Sequence, residues 1–127
     1  MENRTTALRV IPGSAKSQRV EYRIAAADAN PYIILAAALG SGLWGIENKL
    51  EPDAPVKGNS YAVKHPARLN LPRSLGESAE RLAKSKPARE LFGAAFVEHY
   101  AATRDWEERE YRRAITDWQM QRYFEII

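Results

Sequence analysis

Arg19-Val20-Glu21-Tyr22-Arg23-Ile24, and after it Asn30-Pro31-Tyr32-Ile33-Ile34-Leu35-Ala36-Ala37-Ala38-Leu39, decide how this chain folds. In the first stretch Val20, Tyr22 and Ile24 fall on one side and Arg19, Glu21 and Arg23 on the other, the two-residue period of a strand. One face is apolar and the other carries only charges. In the second stretch Asn30 suits an N-cap and Pro31 the first helical position. The spacing predicts a helix over 31–48, with Ile33, Ile34, Leu35, Leu39, Leu43 and Ile46 as its apolar content. Small residues between them (Ala36 to Ala38, Gly40, Gly42, Gly45) predict close packing, as in a helix buried on most sides. Each glycine weakens the helix by about 0.5–1 kcal/mol relative to alanine, which tertiary contacts must offset.

On the N-terminal side, Thr6-Ala7-Leu8-Arg9-Val10-Ile11 reads as a second strand, 6–11, paired with 18–24. Pro12-Gly13-Ser14 between them is a turn signal, so the pair is predicted to be a hairpin with a long loop. On the C-terminal side, residues 51–73 form a connector broken by Pro52, Pro55, Gly58, Pro66 and Pro72. Such a length without regular structure points to a functional or packed excursion. Ser74-Leu75-Gly76-Glu77 is a capping box that opens a helix to about Ser85. Pro87 starts a further helix over 86–92, which Gly93 bends or ends. Residues 94–125 read as helical. Phe96, Tyr100, Trp106, Tyr111, Ile115, Trp118 and Tyr123 recur at near-helical spacing and are expected to be core. The fold class is therefore α+β and helix-rich, in a single partial domain over 1–127. Its parts are a hairpin (1–29), a buried helix (30–50), the connector (51–73) and a C-terminal helical bundle (74–127).

The chain has 127 residues, the size of one ordinary domain, with 45% hydrophobic and 28% charged residues. Those values argue against wholesale disorder. Without cysteine there is no disulfide framework, thiolate nucleophile or cysteine-ligated zinc. The longest apolar run, Ile33 to Leu39, is too short to span a bilayer, and the opening residues lead into no hydrophobic signal region. A cytoplasmic protein is expected, with no membrane partner. The formal charge of +3 lies wholly within residues 1–23, which hold Arg4, Arg9, Lys16, Arg19 and Arg23 against Glu2 and Glu21. A nucleic-acid binder would more often show a basic stripe interleaved with aromatics, so no nucleic-acid partner is expected. A compact anion, or a merely solvated face, fits this short basic segment better. Familiar catalytic patterns are missing: no glycine-rich phosphate loop with lysine, no His-Glu-x-x-His, no Gly-x-Ser-x-Gly. His65 and His99 are isolated and read as surface or packed histidines.

Asn3-Arg4, Leu8-Arg9-Val10, Arg19-Val20-Glu21-Tyr22-Arg23, Ala29-Asn30-Pro31-Tyr32 and Gly42-Leu43-Trp44-Gly45-Ile46 together resemble glutamine synthetase, in the last third of its catalytic domain. The resemblance covers nearly the whole chain and is most specific over 3–50. It implies an ATP-dependent glutamate–ammonia or glutamate–amine ligase acting through γ-glutamyl phosphate. By position, Arg4 and Arg9 match catalytic arginines that hold the nucleotide phosphates and the transferred phosphoryl group. Glu21 matches a carboxylate ligand of Mg²⁺ or Mn²⁺, and Arg23 the arginine that contacts substrate glutamate. Phosphoryl transfer depends mainly on positioning and charge neutralisation, which arginine forks and a carboxylate-held cation supply.

Ile24-Ala25-Ala26-Ala27-Asp28 departs from the aromatic and Pro-Asp-Pro of the best-known bacterial pattern. With Thr116-Asp117-Trp118 and the closing Tyr123-Phe124-Glu125-Ile126-Ile127, it looks more like the branch that makes γ-glutamyl amides of amines or polyamines. Tyr61 falls where some bacterial members carry a nucleotide-modified tyrosine. Its neighbours do not reproduce the acidic, proline-rich context, so that regulation is not expected. The family's remaining metal ligands, glutamate loop and ammonium site have no counterpart here. The expectation is a C-terminal part of a longer enzyme, inactive without the N-terminal part. The alternative is a stand-alone, non-catalytic helical oligomerisation or interaction module. Either way the apolar tail 123–127 is expected to dock, and the resemblance implies a homo-oligomer of stacked rings.

Overall fold

The computed structural model describes residues 3–126. The chain divides into two compact units, one ending at Asn70 and the other beginning at Leu71, within the proline-broken connector.

The first unit opens with strands β1 (Leu8–Ile11) and β2 (Arg19–Tyr22), an antiparallel pair with Leu8 opposite Tyr22, Arg9 opposite Glu21, Val10 opposite Val20 and Ile11 opposite Arg19. Both strands are shorter than predicted. Still, the Arg23 amide donates to the Ala7 carbonyl at 2.9 Å, so pairing runs one residue past β2. The turn closes on Ser14, whose carbonyl accepts from the amides of Ser17 and Gln18. Helix α1 (Pro31–Glu47) starts as predicted, with the Asn30 side chain accepting from the amides of Tyr32 and Ile33. It ends in a Schellman closure, Leu50 N–H to the Gly45 carbonyl and Lys49 N–H to that of Ile46, with Lys49 in the left-handed region at φ 52°. After it, the connector makes single 3₁₀ turns at Ser60–Ala62 and Ala67–Leu69.

The expectation that α1 is buried does not hold in this chain. No residue of α1 is buried, and Tyr32, Leu35, Leu39, Leu43 and Ile46 line up exposed at i, i+3 and i+4 spacing. A helix rich in alanine and glycine packs closely only where a broad partner surface exists. The rest of this unit is a two-stranded ribbon and irregular backbone.

The second unit holds α2 (Leu75–Lys84), α3 (Lys86–Phe92), α4 (Ala94–Arg113) and α5 (Asp117–Tyr123). Its core sits where α2 and α3 pack on α4, around the buried Ala79, Val97 and Ala101. Small residues let α2 approach closely; a Cβ on Gly76 would come within 3.2 Å of Glu108 on α4. Arg89 fastens the α2–α3 junction, donating to the Ala83 carbonyl at 2.8 and 3.0 Å while its other nitrogen meets Glu98 at 2.7 Å. Gly93, at φ 81°, makes the sharp α3–α4 junction that an L-residue would strain.

Two expectations for this unit need correction. The stretch 94–125 is not helical throughout: it breaks after Arg113, and Thr116 starts α5 with a full capping box to Gln119. Nor is the aromatic series core. Phe96 lies tilted against Phe92 at 5.6 Å and stacks on Tyr100 at 5.7 Å, yet Phe96 is itself exposed, as are Trp106, Tyr111, Ile115, Trp118 and Tyr123. Of the tail, Phe124 and Ile126 are exposed and Ile127 lies outside the described residues. No helix among the described residues is long and apolar enough to cross a membrane.

The capping box of α2 is half as predicted. Ser74 accepts from the Glu77 amide at 3.1 Å, but Glu77 reaches the Arg73 amide, at 2.8 Å, rather than that of Ser74. That bond, with the ion pair to Arg81, holds the Glu77 carboxyl below its ordinary value of 4.5 despite partial desolvation. A carboxyl lowered in the folded state contributes stability that is present above its unfolded value and lost as pH falls through the folded one. Acidification below about 4.5 should therefore loosen the start of α2. Amide exchange at Arg73 followed from pH 6 to 3 checks this. Glu77→Gln should flatten the acid limb, and an unchanged limb would mean that another group carries it.

Candidate functional site

β2 turns Arg19, Glu21 and Arg23 to one face because alternate residues of a strand share a side. The hairpin register sets Arg9 directly opposite Glu21 on that face. Four charged groups thereby meet. Arg9 Nε lies 2.9 Å from Glu21 Oε2, and Arg9 Nη2 donates to Oε1 at 3.0 Å. Arg19 Nη2 donates to the same Oε1 at 3.3 Å, and Arg23 Nη1 stands 3.8 Å from Oε2. Burial is graded across the cluster: the side chains are 11% exposed for Arg9, 27% for Glu21, 34% for Arg23 and 57% for Arg19. Arg4 is exposed, but Arg23 Nη2 donates to its main-chain carbonyl at 3.4 Å, so the Arg4 backbone adjoins this face.

All four residues singled out from the sequence thus come together. Arg9, Glu21 and Arg23 touch through side chains, and Arg4 joins through its backbone. Sequence reading placed Arg19 beside Glu21 but missed the cross-strand meeting of Arg9 with Glu21. Register counting carries that signal only once the turn is fixed on Ser14. A cavity of about 540 Å³ lies beside Arg4, lined by Asn3, Thr5, Val56, Lys57 and Gly58 among others. His65, read as isolated, is half-buried and bonded through Nε2 to the Ser60 hydroxyl at 2.8 Å.

Three guanidinium groups against one carboxylate leave this face cationic and rich in planar forks, the geometry that binds phosphate and carboxylate oxygens. Glu21 offers the hard oxygen donor that Mg²⁺ or Mn²⁺ prefers. It fits as one ligand only: no group of three or more His, Asp or Glu that could hold an ion occurs among the described residues.

The graded burial gives a stability ordering. Arg9→Ala should weaken the hairpin by about 1–3 kcal/mol, since it strips the half-buried Glu21 of its best-shielded partner. Arg19→Ala, removing a mostly exposed pair, should cost under about 1 kcal/mol. Exchange of the Arg23 amide reads both, and equal costs would contradict the ordering.

Residues 1–123 match the family described as glutamine synthetase, catalytic domain. A type-1 glutamine synthetase of Dictyostelium discoideum is 47% identical over 129 residues, covering 100% of this chain and 25% of the relative. The glutamate–isopropylamine ligase of a Pseudomonas species is 44% identical over 99% of this chain and 28% of its own length. A γ-glutamylethanolamide synthetase of Streptomyces coelicolor is 39% identical over 98% and 26% respectively. The chain therefore spans about a quarter of the length of these relatives. With the family's catalytic domain matched from the arginine cluster through α5, this chain belongs to the glutamine synthetase family.

Proposed function

We propose that this chain supplies the phosphate- and glutamate-facing hairpin of an ATP-dependent ligase that joins ammonia or an amine to the side-chain carboxylate of glutamate. The observation that carries the reading is the Arg9–Glu21–Arg23 cluster with Arg4 alongside, lying inside the region that matches the family's catalytic domain. The names of the relatives, a glutamine synthetase and two ligases of amines, support the reaction class.

In this reading a glutamate carboxylate oxygen attacks the γ-phosphorus of ATP, the bond to the bridging oxygen breaks, and ADP leaves. The nitrogen lone pair then attacks the acyl carbon of γ-glutamyl phosphate, the C–O bond breaks, and phosphate departs as the nitrogen loses a proton. Arg4 and Arg9 clamp phosphate oxygens, countering charge that spreads over them in the transition state. Arg23 binds and orients glutamate through its carboxylate. Glu21 holds the guanidiniums of Arg9 and Arg19 in place and, through its oxygens, would hold a divalent cation. When bound, that cation neutralises phosphate charge and draws electron density from the phosphoryl oxygens. One carboxylate ligand is too few to hold the ion, so the rest of the catalytic domain must complete the site. The exposed stripe of α1 and the exposed tail are surfaces for that polypeptide and for neighbouring subunits of a homo-oligomer.

The test is steady-state kinetics in an intact ligase carrying this segment. Glu21→Ala should reduce kcat on the order of 10²–10³-fold, the usual effect of removing one charge-stabilising group, and raise the divalent ion requirement. Arg23→Ala should act mainly on the KM for glutamate, and Arg4→Ala and Arg9→Ala mainly on ATP. The 127-residue chain alone should form no γ-glutamyl product, because lost positioning removes several kcal/mol of barrier reduction. An unchanged rate and metal dependence in Glu21→Ala would reduce the strand face to a solvated one.

A further inference from the structure

Arg4 lies in no helix or strand, yet the residues on either side of it are tied to a segment more than fifty positions away. Asn3 Nδ2 donates to the carbonyls of Val56 and Gly58 at 3.2 and 3.0 Å. Asn3 Oδ1 turns back to accept from the Thr5 amide at 3.0 Å and the Thr5 hydroxyl at 2.6 Å. The same Thr5 oxygen accepts from the Ser60 amide at 2.8 Å. Ser60 is in turn held by His65, whose Nε2 lies 2.8 Å from its hydroxyl and 3.1 Å from its carbonyl. Asn59 caps the 3₁₀ turn that presents the Ser60 amide, its side chain accepting from Tyr61. Each polar atom of Asn3 and Thr5 in this chain of bonds has a defined partner, and the distant partners are backbone groups of one loop.

We infer that Asn3 and Thr5 are positioning residues for Arg4, with connector residues 56–60 as the frame against which they hold it. This deepens the proposed function and rests on the phosphate role given there to Arg4. A guanidinium on irregular backbone would sample many directions, and fixing the residues before and after it removes most of that freedom in advance. The proline-broken connector thereby serves as the fixed wall of the phosphate site.

The test uses the 127-residue chain and inorganic triphosphate as probe, with affinity from calorimetry and amide exchange by NMR. Thr5→Val should expose the Ser60 amide to rapid exchange and weaken triphosphate binding by about three- to tenfold, the worth of one or two lost hydrogen bonds. Thr5→Ser, which keeps the hydroxyl, should restore both. Asn3→Ala should behave as Thr5→Val. The Arg23 amide, bonded to Ala7, reports that the hairpin persists in each variant. If Arg4→Ala weakens binding while Thr5→Val and Asn3→Ala do not, or if Thr5→Ser is as weak as Thr5→Val, the positioning role is overturned. If Arg4→Ala itself leaves binding unchanged, or the parent chain binds no triphosphate, the phosphate reading fails and this inference with it.

Discussion

The meeting of Glu21 with Arg9 across the hairpin is the contact on which the rest of the site depends. A two-stranded ribbon is marginal by itself in water, and the apolar face of this one is largely exposed, with Val10 and Val20 opposite each other and both open to solvent. What fixes the register is therefore the charged face. A slip of one residue would put Glu21 on the apolar side and leave Arg9, the best-shielded cation of the cluster, facing no carboxylate. Arg19 and Arg23 follow from the pleat, two residues either way along the strand. Arg23 then reaches the Arg4 carbonyl, which brings in the one arginine of the four that lies outside the hairpin ladder. One ion pair thus sets the positions of three guanidinium groups, the last of which adjoins the Arg4 backbone.

Much of this was legible in the sequence, for identifiable reasons. The period-two alternation from Arg19 to Ile24 depends only on backbone geometry, and Asn30-Pro31 signals a helix start through local hydrogen bonding. Both hold in the structure because neither needs a distant partner. The buried α1 and the aromatic core along 96–123 were inferences about what lies across from a helix, and periodicity does not say whether a partner surface exists in the same chain. The break at Thr116 was readable, since Thr116-Asp117-Trp118-Gln119 is a capping sequence. The continuing aromatic spacing masked it. The bonds from Asn3 and Thr5 to residues 56–60 left no sequence signal, because their partners are backbone groups and any residue carries those.

Membership of the glutamine synthetase family and the exposed apolar surfaces have a common physical sense. Tyr32, Leu35, Leu39, Leu43 and Ile46 on one helix, and Trp106, Tyr111, Ile115 and Trp118 later in the chain, form more open apolar surface than a monomeric soluble domain usually shows. The chain spans about a quarter of its relatives' length, and the charged face supplies one carboxylate where an oxygen-ligated divalent ion takes about six ligands. On the proposed reading, apolar packing and metal ligation fall short for one reason, that the chain covers only 25% of such a relative.

If the Glu21 face receives a metal–triphosphate, a paramagnetic ion brought in with the nucleotide must come to rest beside it. Titrating the isotopically labelled chain with Mn²⁺·ATP and following the broadening of its amides tests this most directly. The Arg9 and Glu21 amides should broaden first, Arg4 and Arg23 should follow, and Glu21→Gln should abolish the effect. Broadening that centres instead on the acidic run Asp105 to Glu110 of α4, or that survives Glu21→Gln unchanged, would contradict it.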